Sequence, residues 1–144
     1  MGQFVCLVDE MGRLELPAKF AEHLRSGAFV TQGFDHDLMV LPSESFSQFA
    51  AQISTLSKTD PLARLLTRLV LGNASALHLD DAGRVTLPQA LREFCGIAGQ
   101  AVVVGAGDLF EIWSPSAWET QKLHLQDAQS NADRFAGLNL ALAA

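Results

Sequence analysis

Two arginines in this chain stand in the same local frame, Asp9-Glu10-Met11-Gly12-Arg13-Leu14-Glu15-Leu16-Pro17 and Asp80-Asp81-Ala82-Gly83-Arg84-Val85-Thr86-Leu87-Pro88. An arginine directly after a tight turn leaves at a fixed angle, and its planar fork can grip a phosphate or the acceptor edge of guanine. The competing use is internal: Asp9 can hold Arg13, and Asp80 can hold Arg84. Both uses are compatible, because a carboxylate that aims a guanidinium does not fill all five of its donors. In Asp-x-x-Gly the carboxylate also has structural work to do. It accepts backbone N–H bonds two or three residues on, while glycine takes the positive φ that closes the hairpin. A hard cation on Asp9 with Glu10, or on Asp80 with Asp81, would need several further oxygen ligands that neither turn offers, so no metal is expected.

Little else in the chain suggests chemistry. His23, His36, His78 and His124 are scattered without the close spacing of a metal centre. There is no Gly-x-Ser-x-Gly elbow, no Ser-x-x-Lys and no phosphate-cradling Gly-x-x-x-x-Gly-Lys. Gly105-Ala106-Gly107 resembles half of a dinucleotide fingerprint, yet it leads from strand to strand, so no helix N-terminus would face a phosphate. Cys6 and Cys95 lie in apolar surroundings without a C-x-x-C spacing, which favours buried, reduced thiols. The residues point to a binding protein rather than an enzyme, with no cofactor and no small-molecule substrate.

The elements that must position the arginines repeat with them. A short apolar strand (Phe4 to Val8, then Leu77 to Leu79) enters each turn, and Arg13 to Leu16 or Arg84 to Leu87 leaves it with aliphatic residues inward and arginine outward. Pro17 and Pro88 fit the first position of a helix whose inward stripe is Phe20 with Leu24, or Leu91 with Cys95, and Gly27 and Gly96 are stops. Strands at Ala28 to Thr31 and Leu38 to Leu41, and at Ala101 to Val104 and Leu109 to Trp113, flank turns around Gly33 and Gly105 to Gly107. Each copy closes on a helix start, at Pro42 with Phe46 as anchor and at Pro115 with Trp118, where Ser116 and Glu119 have capping-box spacing. A further helix is expected in the first copy alone, over Thr59 to Leu71. Thr59 would be its N-cap, Leu62, Leu65, Leu66, Leu69 and Val70 its inner face across both halves, and Arg64 and Arg68 its outer face. After Leu125 the pattern weakens to a loose helix, an interface element or disorder.

These 144 residues are 49% hydrophobic and 18% charged, which supports a packed globular core. No apolar run is long enough to span a bilayer, and Met1 to Val8 lacks the pattern of a signal peptide, so a cytoplasmic protein with no membrane partner is expected. The net charge of −6 counts against a uniformly basic nucleic-acid binder, and residues 72–144 are the more acidic half. Any anion site must therefore be local.

Four segments in order, DEMGRLELPAKF, TDPLARLLTRLVLGNA, DDAGRVTLPQALREFCGI and VVVGAGDLFEIWSPSAWE, make the chain resemble the MraZ family over roughly residues 4–122. The resemblance implies an α+β fold of two AbrB-like β-α-β repeats forming one pseudo-two-fold unit with a bridging helix. Residues 1–53 would be the first repeat, 54–73 the bridging helix, 74–125 the second repeat and 126–144 a C-terminal tail. It further implies a nucleoid-associated transcriptional regulator that assembles as a homo-oligomeric ring. Its partner would be promoter DNA, bound at short direct repeats upstream of its own operon in the division and cell-wall gene cluster. Arg13, Arg84, Asp9 and Asp80 map onto the family's DNA-facing elements. Two departures remove positive charge from that side: Met11 stands where the family often has lysine, and Met1-Gly2-Gln3-Phe4 lacks an arginine often found there. The alternative is a ring-forming interaction scaffold with little DNA affinity.

Overall fold

The computed structural model describes residues 2–138, so Met1 and the end of the expected tail, 139–144, lie outside the described residues. The first copy contributes strands β1 (Gln3–Leu7), β2 (Arg13–Glu15), β3 (Ala28–Gln32) and β4 (Leu38–Pro42), with helices α1 (Ala18–Ala21), α2 (Ser43–Ser54) and α3 (Pro61–Val70). The second contributes β5 (Ser75–Leu77), β6 (Arg84–Thr86), β7 (Gln100–Ala106) and β8 (Leu109–Trp113), with α4 (Gln89–Cys95), α5 (Pro115–Gln126) and α6 (Ala128–Ala136). The fold is mixed α and β, as expected, and its strand pairings are antiparallel.

Six strands form one sheet in the order β1-β7-β8-β4-β3-β5, and β2 and β6 form a separate ribbon. The copies are interleaved in both sheets. β1 of the first copy lies beside β7 of the second, and β5 of the second lies beside β3 of the first. In each copy the first strand takes its sheet partner from the other copy.

Alternation along the strands divides the core. Val30, Leu38, Val40, Ala101, Val103, Phe110 and Ile112 face the ribbon and α1 and α4, meeting Leu14, Leu16, Val85, Leu87, Phe20 and Leu91. On the opposite face Met39 and Leu41 meet Phe46 and Ile53 of α2 and Val70 of α3, while Val102 and Trp113 meet Trp118 of α5. Phe46 and Trp118 are thus the anchors expected of them, Phe46 stacking on Phe29 at 4.5 Å between ring centroids. Strands buried on two faces explain why β4 reads as an unbroken apolar run.

Several helix boundaries differ from the sequence reading. Pro17 and Pro88 occupy the N-cap rather than the first helical turn. The cap of α3 is Asp60, whose carboxylate accepts from Leu62 N–H, not Thr59. The cap of α5 is Ser114, whose hydroxyl accepts from Ala117 N–H, and Ser116 lies inside the helix. The inner face of α3 is Ala63, Leu66 and Val70, leaving Leu62 and Leu65 exposed. Its principal seat is α2 and β3, both of the first half, and Ala74 and Leu109 of the second half pack against the same cluster. Thr31 Oγ1 on β3 donates to the Val70 carbonyl at 2.5 Å, tying the end of α3 to the sheet. Arg64 and Arg68 line the groove between α2 and α3 beside Lys58. A second helix, α6, follows α5, so the extra helix is not confined to the first copy.

Candidate functional site

The two turns are built alike to the level of single hydrogen bonds. In the first, Asp9 Oδ1 accepts from Met11 N–H at 3.0 Å and Arg13 N–H at 2.9 Å. Asp9 N–H donates to the Arg13 carbonyl, and Gly12 N–H closes the turn on the Asp9 carbonyl with φ +81° at Gly12. In the second, Asp80 Oδ1 accepts from Ala82 N–H and Arg84 N–H, both at 2.9 Å, and Gly83 takes φ +77°. The backbone therefore uses one carboxylate oxygen of each aspartate. The other is left for the guanidinium.

That second oxygen receives Nε of the arginine: Arg13 Nε donates to Asp9 Oδ2 at 2.6 Å and Arg84 Nε to Asp80 Oδ2 at 3.1 Å. Both carboxyls are held below the ordinary aspartate value, first by the backbone N–H of Arg13 or Arg84 and also by the guanidinium itself. Anchoring through Nε restrains the plane of the fork and spends only one of the guanidinium's five donors. The side chains remain accessible, 38% exposed for Arg13 and 34% for Arg84. A guanidinium held this way is aimed, yet its outer donors remain available for a planar acceptor.

Pairing of β2 with β6 brings the two turns together. Arg13 lies opposite Thr86, Leu14 opposite Val85 and Glu15 opposite Arg84. Each turn also braces the other, since Leu87 N–H donates to the Gly12 carbonyl at 2.9 Å and Leu16 N–H to the Gly83 carbonyl at 3.2 Å. Leu14 and Val85 point into the core, so Arg13, Glu15, Arg84 and Thr86 share the outer face of one ribbon. Arg84 Nη1 comes within 3.9 Å of Asp9 Oδ2. All four expected site residues thus gather in one place, with acidic Glu10, Glu15 and Asp81 at its margin.

One cation beside this site had no signal in the repeat. Arg92, half-buried on α4, donates from Nε to the Leu87 carbonyl at 3.0 Å and lies against Gly12. A short local motif cannot reveal it, because the contact joins the second copy's helix to the first copy's turn.

No group of three or more metal-ligating side chains occurs among the described residues. Cys6 and Cys95 are free and buried, and burial pushes the Cys95 thiol up to about 11, which suppresses thiolate chemistry. No helix among the described residues is long and apolar enough to cross a membrane.

A family model described as "MraZ protein, putative antitoxin-like" matches this chain twice, over residues 1–69 and 70–138. Among curated proteins, a "Transcriptional regulator MraZ" of Herpetosiphon aurantiacus is 44% identical over 83% of this chain and 84% of its own. A protein of the same name from Thermomicrobium roseum is 38% identical over 96% of this chain and 98% of its own, and one from Rhodococcus jostii 36% identical over 97% and 96%.

Proposed function

The chain belongs to the MraZ family, and from that premise we propose that it is a sequence-specific DNA-binding transcriptional regulator. The observation that carries the reading is the ribbon itself: two arginines, each aimed by its own aspartate, exposed on one face of paired strands. Arg13 and Arg84 make the DNA contacts. Asp9 and Asp80 shape the turns and orient the forks. The curated relatives' shared name, transcriptional regulator, supports the same reading.

Its partner is promoter DNA, in short direct repeats upstream of its own operon in the division and cell-wall gene cluster. The two repeats act as a pseudo-two-fold unit, a reading supported by the exchanged edge strands. Copies of the chain assemble into a ring in the nucleoid-containing cytoplasm. Exposed Leu62 and Leu65 on α3, with Phe135 on α6, supply apolar surface of the kind that assembly buries. A ring also reconciles DNA binding with the net charge of −6. Each chain can bind weakly, while linked chains gain by effective concentration.

Titrating a duplex from the upstream region at two salt concentrations tests this function. Binding that weakens steeply with salt is expected. Absence of binding at low salt would instead favour an interaction scaffold, the reading to which the acidic margin of the ribbon lends support.

A further inference from the structure

The two hairpins share their internal hydrogen bonds and differ in what lies against them. A Cβ placed on Gly12 would meet Arg92 at 2.5 Å from Nε and 2.6 Å from Cζ, so the guanidinium is packed on the turn between Met11 and Arg13. A Cβ placed on Gly83 would meet nothing within 4 Å. Aligning the copies on Asp9 and Asp80 explains the asymmetry, because Ala21 occupies in the first copy the position that Arg92 holds in the second. The methyl of Ala21 does not reach the other turn. The first hairpin therefore carries a guanidinium on its turn, that of Arg92, which has no counterpart on the second.

Arg92 is also held differently from Arg13 and Arg84. Its Nε is spent on the Leu87 carbonyl, and Leu87 in turn donates its N–H to the Gly12 carbonyl, so the guanidinium is fixed to the ribbon by a short chain of hydrogen bonds. Among the described residues no carboxylate pairs with it, and its Nη groups meet no acceptor. A half-buried, immobilised cation without a counter-ion has already given up much of its solvation and conformational freedom. An added phosphate oxygen then offsets more of that cost than it would at a mobile surface lysine.

We propose that Arg92 is a third DNA-contacting arginine, one that meets a phosphate and serves the first hairpin alone, so that the two hairpins of one chain grip the DNA backbone unequally. The inference rests on the DNA-binding reading above. It assigns Arg92 to the backbone rather than to a base because its half-buried guanidinium packs on the turn itself at Gly12, whereas Arg13 stands on the outer face of the ribbon.

Arg92→Gln tests it, since the amide can keep the hydrogen bond to Leu87 while removing the charge. Fluorescence anisotropy with the upstream duplex and with a scrambled duplex, across several salt concentrations, should be run on wild type, Arg92→Gln, Arg92→Lys and Arg13→Ala. Arg92→Gln is expected to bind both duplexes roughly tenfold more weakly at low salt. The slope of log affinity against log salt should become shallower by about one for each first hairpin engaged, and Arg92→Lys should keep the wild-type slope. Unchanged affinity and slope in Arg92→Gln, with Arg13→Ala impaired, would overturn this inference alone. So would a weakening restricted to the specific duplex, or a weakening with unchanged slope and a lowered melting temperature, which marks a structural brace. No binding by the wild type at low salt would overturn the DNA reading and this inference with it.

Discussion

Arg13 and Arg84 spend one nitrogen each on an aspartate that the backbone has already fixed. At this scale Arg13→Ala should weaken specific DNA binding by about 1–3 kcal/mol for each base the guanidinium reads while leaving assembly intact, measured by titration at fixed salt. The aspartates carry a pH dependence of definite sign. Because their folded-state values are depressed below 3.8, their stabilising effect is complete above that value and disappears as pH falls through the lower folded values. The double variant Asp9→Asn with Asp80→Asn should therefore show a shallower acid decline in melting temperature than wild type below about pH 4. An identical decline would remove the aspartates from that role. The local frame was legible in the sequence because all its bonds fall within four residues. Arg92 was not, because its partner turn is eighty positions away.

The ribbon and sheet hold these residues where they are. Leu14 is fully buried at the centre of β2, and Leu14→Ala should cost about 2–5 kcal/mol and loosen both turns together, measurable by denaturant unfolding. A second element-scale expectation concerns Glu111 on β8, pushed up to about 7 by burial and by the neighbouring Asp37 carboxyl, with which it shares a hydrogen bond. A raised carboxyl favours the folded state while protonated, so stability is greatest below the ordinary value of 4.5 and falls as pH rises toward 7. Glu111→Gln should flatten that slope and raise stability at pH 8 relative to pH 4, followed by thermal melts. Strand positions were legible from alternation, and the core anchors Phe46 and Trp118 from their place after each proline. Helix caps were less so: Pro61 and Pro115 at the first helical position fix the caps at Asp60 and Ser114, whatever the spacing of nearby Ser and Glu suggests. The inner face of α3 differs from the expected one because five apolar residues fit a helical stripe, yet only the side meeting α2 and β3 is covered.

For the whole molecule, the proposed function sets a net charge of −6 against a polyanionic partner. Interleaving of the strands places both arginines on a single surface, and the proposed ring of such surfaces would multiply contacts that are individually weak. If α3 contributes to assembly, replacing exposed Leu62 and Leu65 (73% and 62% accessible) by aspartate should yield smaller, folded species by light scattering. Their DNA affinity should fall with the number of linked chains, and an unchanged assembly would assign the interface to another surface. Regular spacing of equivalent hairpins around a ring would match DNA boxes repeated about every 10 base pairs. Footprinting of the purified protein on the DNA upstream of its own gene tests the central claim most directly. The account predicts protection of several short direct repeats about one helical turn apart, weakened by Arg13→Ala; a uniformly cleaved ladder at low salt would contradict it.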